Sequence, residues 1–461
     1  MDHFIDREDE LAALEKEYTR GESALVIMYG RRRIGKTSLV REFIKNKPAI
    51  YYLVTEESEA QNREAFKNMV ADFTGNTLLK NTTPEDWGLI FDTLAARETP
   101  AKKVVVIDEF QYLGKANPAF PSILQKIWDT NLKDRKIMLI LCGSLISMME
   151  SQTLSYGSPL YGRRTAQIRL KQIPFRYYGA FFPDKSRNEL VQYYAVTGGV
   201  PKYIELFSGR KNIYRAIAED VLSRNSFLYD EPGFLLLREV SQTGSYFSVI
   251  KTIAAGNHKL ADIAASLGQK QTGLTKYLNT LINLDILRRE VPVTENNPEK
   301  SKRGLYRITD NFMLFWFKFV YPNQSYIESG NTEVVMDKIR RNFIDSHVSY
   351  VYEGICREEL GFRWPEQWRF RVNRIGRWWD NHNEIDLVAY DGEGEDMVFG
   401  ECKYRKGKMS IDVLFGLMEK SQKVEWKRQE RRNHYALFSI GGFCDELIRL
   451  AENRDDVVLL E

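Results

Sequence analysis

The sequence predicts a multidomain α/β protein, with a parallel-sheet domain at its start and a second, smaller α/β domain at its end. Three observations carry that reading. The apolar run 24–29 is followed at once by Gly30-Arg-Arg-Arg-Ile-Gly35-Lys36-Thr37 and then by a helix-like stretch, 38–45. The run 103–107 is apolar without alternation after Lys103, as a strand buried on both faces must be, and it ends in Asp108-Glu109. Near the other end, 383–390 alternates in polarity as a half-buried strand does, and 397–404 reads as a second strand beyond the turn Asp391-Gly-Glu-Gly394.

Bulk properties narrow the class further. A chain of 461 residues exceeds what one core serves, so two to four domains are expected. With 43% hydrophobic and 28% charged residues it is ordinary globular protein throughout, which excludes disordered and fibrous classes. The longest apolar runs, 104–107 and 137–142, are too short to span a bilayer, and Met1-Asp2-His3 does not open a signal peptide. A cytoplasmic address and no membrane partner are expected. Cys142, Cys356, Cys402 and Cys444 lie far apart without a CxxC pair, which argues for reduced thiols and against a disulfide framework or structural zinc. A net charge of +3 does not by itself argue for a nucleic-acid partner, and the basic clusters at 31–33, 300–303 and 427–432 are local.

The first elements carry the strongest chemistry. The segment from Gly30 through Arg31, Arg32, Arg33, Ile34 and Gly35 to Lys36 and Thr37 is GxxxxGK[ST] between a strand and a helix. Its glycines let backbone N–H groups wrap phosphates, and Ser38 lies in the first turn of a helix whose positive dipole end faces them. Lys36 would neutralise the β- and γ-phosphates of ATP, and Thr37 would offer its hydroxyl to Mg²⁺. Asp108, at the C-terminal end of its strand, would hold the Mg²⁺ water shell, and Glu109 would activate the attacking water as general base. A further apolar strand, 136–142, closes on Gly143-Ser144, where Ser144 either senses the γ-phosphate, caps the helix 145–150, or does both. Arg163 or Arg164, ahead of the strand 165–170, would stabilise transferring charge within the chain or from a neighbour, or else form a surface ion pair.

Together with Phe4-Ile-Asp-Arg7-Glu8, Leu11, the segment 104–111, Cys142-Gly-Ser144 and Thr197-Gly-Gly-Val-Pro201, the loop resembles the archaeal-type P-loop ATPase family, relatives of the AAA+ and STAND ATPases. The resemblance implies a sheet in which the strand of Ser144 is inserted between those of Lys36 and Asp108. It also implies Phe4 and Arg7 near the adenine, and the 198–201 turn within a helical lid.

The middle of the chain changes pattern. Helical spacing at 246–255, 259–267 and 272–284, followed by strands at 286–291 and 305–308, resembles a winged helix-turn-helix. Bound to DNA, Lys270, Gln271, Thr275 and Lys276 would face the major groove, with Lys300, Lys302 and Arg303 on phosphate. The other reading is a protein-docking module. The aromatic stretch 309–320 is expected to pack inside, and the polar segment 323–331 to act as a linker.

In the last third a helix, 343–360, carries Glu353. Adjacent strands offer Asp386 and Glu401, with Lys403 on the face of Glu401, a set of oxygen ligands suited to Mg²⁺ or Mn²⁺ with a lysine to orient water. Trp378-Trp379, Glu384-Ile-Asp386 and Glu401-Cys-Lys403 resemble the PD-(D/E)xK restriction-endonuclease-like superfamily. The resemblance implies metal ligation by Glu353, Asp386 and Glu401 and catalysis by Asp386, Glu401 and Lys403, with Gln422 auxiliary; Ile385 stands where the superfamily usually has proline. The expected domains are a P-loop ATPase core at 1–180, a helical lid at 181–238, a winged helix at 239–310, a linker helix at 311–334 and the nuclease-like domain at 335–461. Two functions remain open: an ATPase acting on DNA with a metal-dependent nuclease domain, or a regulatory nucleotide switch that binds DNA or protein partners without cleavage. Either admits an oligomer.

Overall fold

The computed structural model describes residues 4–83 and 86–461; the Met1-Asp2-His3 start lies outside them. The chain divides into two compact units.

The first unit contains the residues up to Ile173, with Val200–Lys202 and Leu235–Ser241. Its strands are β1 (Ala24–Tyr29), β2 (Ala49–Leu53), β3 (Lys103–Asp108), β4 (Ile137–Gly143) and β5 (Ala166–Arg169). They form one parallel sheet in the order β2-β3-β4-β1-β5. β1, β3 and β4 are buried along their whole length, which is why their sequences do not alternate, whereas the edge strands β2 and β5 are only partly buried. Val26, Met28, Val104, Val106 and Ile140 pack with Leu39, Val40 and Phe43 of helix α1 (Lys36–Ile44). The insertion of β4 between β1 and β3 is the expected order, and it brings three strand ends together at the C-terminal edge.

The second unit holds Pro174–Gly199, Tyr203–Phe234 and Gln242–Glu461. Within it, α2 (Arg187–Thr197) opens with a Ser186/Glu189 capping box and ends at Gly198, whose φ of 60° suits a residue without Cβ. Helices α3 (Thr243–Ala254), α4 (Leu260–Leu267) and α5 (Gln271–Asn283) precede an antiparallel hairpin of β6 (Leu287–Glu290) and β7 (Leu305–Ile308). Phe312, Phe315, Trp316 and Phe317 are buried, as expected for the aromatic stretch. The 323–331 segment departs from a linker: it contains the helix Gln324–Glu328, with Asn323 and Ile327 buried. Asn323 accepts from Lys338 Nζ at 2.6 Å and donates to the Phe319 carbonyl at 2.8 Å, so a polar side chain serves as an anchor there.

A second sheet follows, of β8 (Arg374–Trp379), β9 (Glu384–Tyr390), β10 (Asp396–Lys403), β11 (Arg432–Ser439) and β12 (Val457–Leu460), in the order β12-β11-β10-β9-β8. Its β8-β9-β10 half is antiparallel and its β10-β11-β12 half parallel. Helices α6 (Ser349–Phe362) and α7 (Ile411–Ser421) pack against it, with Leu414 and Leu417 of α7 joining Ile385, Val388, Phe399 and Leu437 in one core. The expected lid helix α2 lies against this sheet's elements. Arg187 makes a two-bonded pair with Glu359 of α6, Gln192 Nε2 donates to Tyr404 Oη at 3.1 Å, and His347 Nε2 donates to the Ala195 carbonyl at 2.7 Å.

Candidate functional site

The loop after β1 needs its glycines. Gly30 has φ 151°, and a Cβ there would lie 2.5 Å from the Leu170 carbonyl oxygen; Gly35 has φ 92°. Arg7, 6% exposed, donates to the carbonyls of Lys171 at 2.6 Å and Ile34 at 3.3 Å, tying the loop to the segment after β5, while Phe4 is exposed. Arg32 Nη2 donates to Tyr112 Oη at 2.9 Å. Pro201 lies beside the loop, 3.8 Å from where a Cβ on Gly35 would be. Lys36 Nζ donates to the carbonyls of Gly30 and Arg31, each at 2.8 Å, and burial pulls its pKa down against the charges of Glu109 and Asp108. Thr37 and Ser38 are exposed at the helix start.

The end of β3 brings the acids to this loop. Asp108, buried, accepts from Thr37 Oγ1 at 3.1 Å and from the Tyr51 hydroxyl on Oδ2, and from the Glu109 N–H at 2.9 Å on Oδ1. Glu109 sits at φ 55°, in the left-handed region. Its carboxylate accepts from Ser144 Oγ at 2.7 Å, from the Ser144 N–H at 3.3 Å and from Gln111 Nε2. Ser144 therefore holds Glu109 and does not cap the next helix, Ile146–Met149. That task falls to Glu239, which accepts from the Ile146 N–H at 3.2 Å and from Ser147 Oγ at 3.0 Å, and whose pKa burial raises. Arg163 is engaged inside the chain by Asp129, at 2.7 and 3.0 Å, and Arg164 by the Tyr161 ring and carbonyl.

The second group of predicted residues lies in the other unit. Asp386 Oδ2 accepts from the Cys402 N–H at 3.0 Å. Glu401, 7% exposed, accepts from Lys403 Nζ at 2.5 Å and Lys420 Nζ at 3.3 Å. Glu353 faces Arg377 at 3.6 Å and Arg357 at 3.9 Å. Burial, and next the charge of Asp386, push Glu353 up to about 7; burial and the charge of Glu401 raise Asp386 in turn. Lys403 is held above its ordinary range by Glu401 even though burial opposes that charge. The three acids thus press on one another in series. Among the described residues, however, no three His, Cys, Asp or Glu side chains are placed to share one metal ion. Tyr352, next to Glu353 on α6, packs its ring against Tyr404, which alternation puts on the opposite side of the chain from Lys403.

Lys270, Gln271, Thr275 and Lys276 are exposed at the start of α5. In the loop between β6 and β7, Lys300 and Lys302 are exposed, Arg303 is paired with Glu295, and the Val293 N–H donates to the Arg377 carbonyl of β8 at 2.9 Å. No helix of the described residues is long and apolar enough to cross a membrane.

Residues 4–207 match the family model of an ATPase domain predominantly from Archaea. An uncharacterized protein of Methanocaldococcus jannaschii is 36% identical over 403 residues, covering 87% of this chain and 88% of the relative. The chain belongs to this archaeal ATPase family. Residues 316–424 of the ATPase also match a family of archaeal and bacterial proteins of unknown function. An uncharacterized ATP-binding protein of the same archaeon is 46% identical over 44 residues, 10% of this chain and 75% of that one. Among solved structures, a Walker-type ATPase of Pyrococcus abyssi superposes with TM-score 0.51 at 18% identity, over 68% of this chain and 96% of that one, a likeness of fold.

The ATPase domain thus has its strand-end acids and its glycine loop at one sheet edge. Side chains at this edge that sequence reasoning did not single out are Tyr51, Gln111 and Glu239. In the other group they are Arg357, Arg377 and Lys420, the last in the final turn of α7, which ends one residue before Gln422. Nothing local marked them: each is defined by a partner on a different element.

Proposed function

We propose that the ATPase binds Mg²⁺-ATP at the Gly30–Thr37 loop and hydrolyses it, and that hydrolysis switches a DNA-binding body built from the rest of the chain. The observation that carries this reading is the 3.1 Å contact of Thr37 Oγ1 with Asp108, beside Lys36 and Glu109. A hydroxyl and a carboxylate at that distance are the hard oxygen donors Mg²⁺ takes, so the residues fit the ion. Bound there, Mg²⁺ would neutralise charge on the β- and γ-phosphates. The backbone N–H groups of the loop bind the phosphate oxygens, and Lys36 turns its ammonium from the carbonyls of Gly30 and Arg31 to the polyphosphate. Glu109 takes a proton from water at its carboxylate as that water attacks the γ-phosphorus; the bond to the bridging oxygen breaks and ADP leaves. Ser144 orients the base through its hydroxyl.

Glu109→Gln should keep ATP bound while phosphate release falls about 10²- to 10⁴-fold, the usual weight of a general base. Phosphate release and equilibrium binding, with Lys36→Ala as the non-binding control, make the test; normal hydrolysis by Glu109→Gln removes the base assignment. The exposed Lys270, Gln271, Thr275 and Lys276 support the DNA-binding part, as the recognition face of a winged helix.

A second reading, metal-dependent phosphodiester cleavage in the C-terminal domain, is favoured by the charge of Asp386 acting on Glu353 and that of Glu401 acting on Asp386. A divalent cation relieves such pressure, and Mg²⁺ is commonly held by one or two carboxylates plus substrate phosphate, a role Asp386 and Glu401 would fill. Lys403 would then orient the attacking water. Supercoiled DNA with Mg²⁺ or Mn²⁺ should be nicked by the full chain and left intact by Asp386→Ala and Lys403→Ala. Equal cutting by all three leaves the switch without cleavage.

A further inference from the structure

We infer that Tyr51 is a positioning residue for the magnesium site of the ATPase domain, holding the Asp108 carboxylate in the orientation that receives the ion. The inference rests on the reading of Thr37 and Asp108 as the magnesium-binding groups. Its own ground is the pairing of β2 with β3. Tyr51 lies beside Val106 in parallel register, and in-register neighbours share a face of the sheet. Asp108, two residues beyond Val106, shares that face again. The Tyr51 hydroxyl therefore reaches Asp108 from the adjacent strand and donates to Oδ2, the oxygen that also accepts from Thr37 Oγ1.

The carboxylate is thereby held at both ends. Oδ1 is bonded by the Glu109 N–H at 2.9 Å, so Asp108 has little freedom to turn. The phenol itself is fixed, its ring lying 5.5 Å beneath the Arg41 guanidinium of α1, the helix that begins with Lys36. In this bond the phenol is the donor and the carboxylate the acceptor. Partners of this kind, one bond removed from the ion, typically contribute 10- to 100-fold in metal affinity because they set the ligand's direction and basicity.

Tyr51→Phe removes the donor and keeps the ring. Binding of Mn²⁺ to the full chain in the presence of ADP, followed by electron paramagnetic resonance, should weaken at least about tenfold in this variant, in line with such partners. ADP affinity measured in EDTA should stay at the wild-type value. Unchanged or tighter Mn²⁺ binding overturns the inference, and so does an equal loss of ADP affinity in EDTA, which marks a structural role. Asp108→Asn separates the two levels. If it weakens Mn²⁺ binding and Tyr51→Phe does not, only the role of Tyr51 falls; if neither does, the metal assignment of Thr37 and Asp108 falls with it.

Discussion

Two histidines, His347 buried and His258 half-buried, show how far a single side chain can set a property of the fold. His347 is fully buried, donates from Nε2 to the Ala195 carbonyl, and is surrounded by the rings of Phe315, Phe319 and Phe343. Burial pulls its pKa down to about 3. His258 lies between the Tyr306 carbonyl and Arg307 Nη1, and burial, followed by the Arg307 charge, pulls it down to about 4. An unfolded chain protonates both near the ordinary 6.5, while the folded chain resists, so the unfolded state gains protons first. Their contribution is therefore complete above pH 6.5 and is lost as pH falls towards 4 and then 3. For His347 the slope is roughly 1.4 kcal/mol per pH unit. Urea unfolding at pH 7.5 and pH 5 should show this loss, and His347→Gln should flatten it; a profile with equal slope in both proteins contradicts the assignment. Lys36 shifts in the same direction, its ammonium pulled down by burial while Glu109 and Asp108 oppose that shift.

At the scale of elements, α2 is tied to α6 by an ion pair. Glu359 is 7% exposed, and Arg187 meets it with two nitrogens. Arg187→Ala leaves that carboxylate buried without its partner, a loss of about 3–5 kcal/mol by comparison with other broken buried pairs. Chemical unfolding followed by circular dichroism should register it, and a change within ~0.5 kcal/mol would place the pair among the surface contacts that contribute little. The strands β1, β3 and β4 were legible because burial on both faces removes alternation. The 323–331 segment was not, because its anchors are an amide side chain and one isoleucine, which composition does not distinguish from a solvated loop. The capping role offered to Ser144 was likewise decided by packing. Glu239, 93 residues from Ile146, caps the helix that Ser144 was placed to cap.

At the scale of the whole molecule, the chain is a member of this ATPase family with two compact units, the loop, Asp108, Glu109 and Ser144 in the first and Glu353, Asp386, Glu401 and Lys403 in the second. The order of β1, β3 and β4 and the convergence of their ends followed from the motifs together with the family resemblance. The mutual arrangement of the C-terminal acids did not, since Glu401 is engaged by Lys403 and Lys420, and Glu353 by two arginines. Alternation can put Glu401 and Lys403 on one face, but it does not say which cations will meet an acid there. The sequence by itself determined the phosphate loop, the acids that end β3 and the succession of elements, because each is written in a short run of contiguous residues whose backbone does the work. Only the tertiary structure decided that Tyr51 grips Asp108 from 57 residues away, that Gln111 and Ser144 hold Glu109, and that Arg163 is engaged by Asp129. Those contacts are made by side-chain tips from separate elements, and their meeting depends on register and packing.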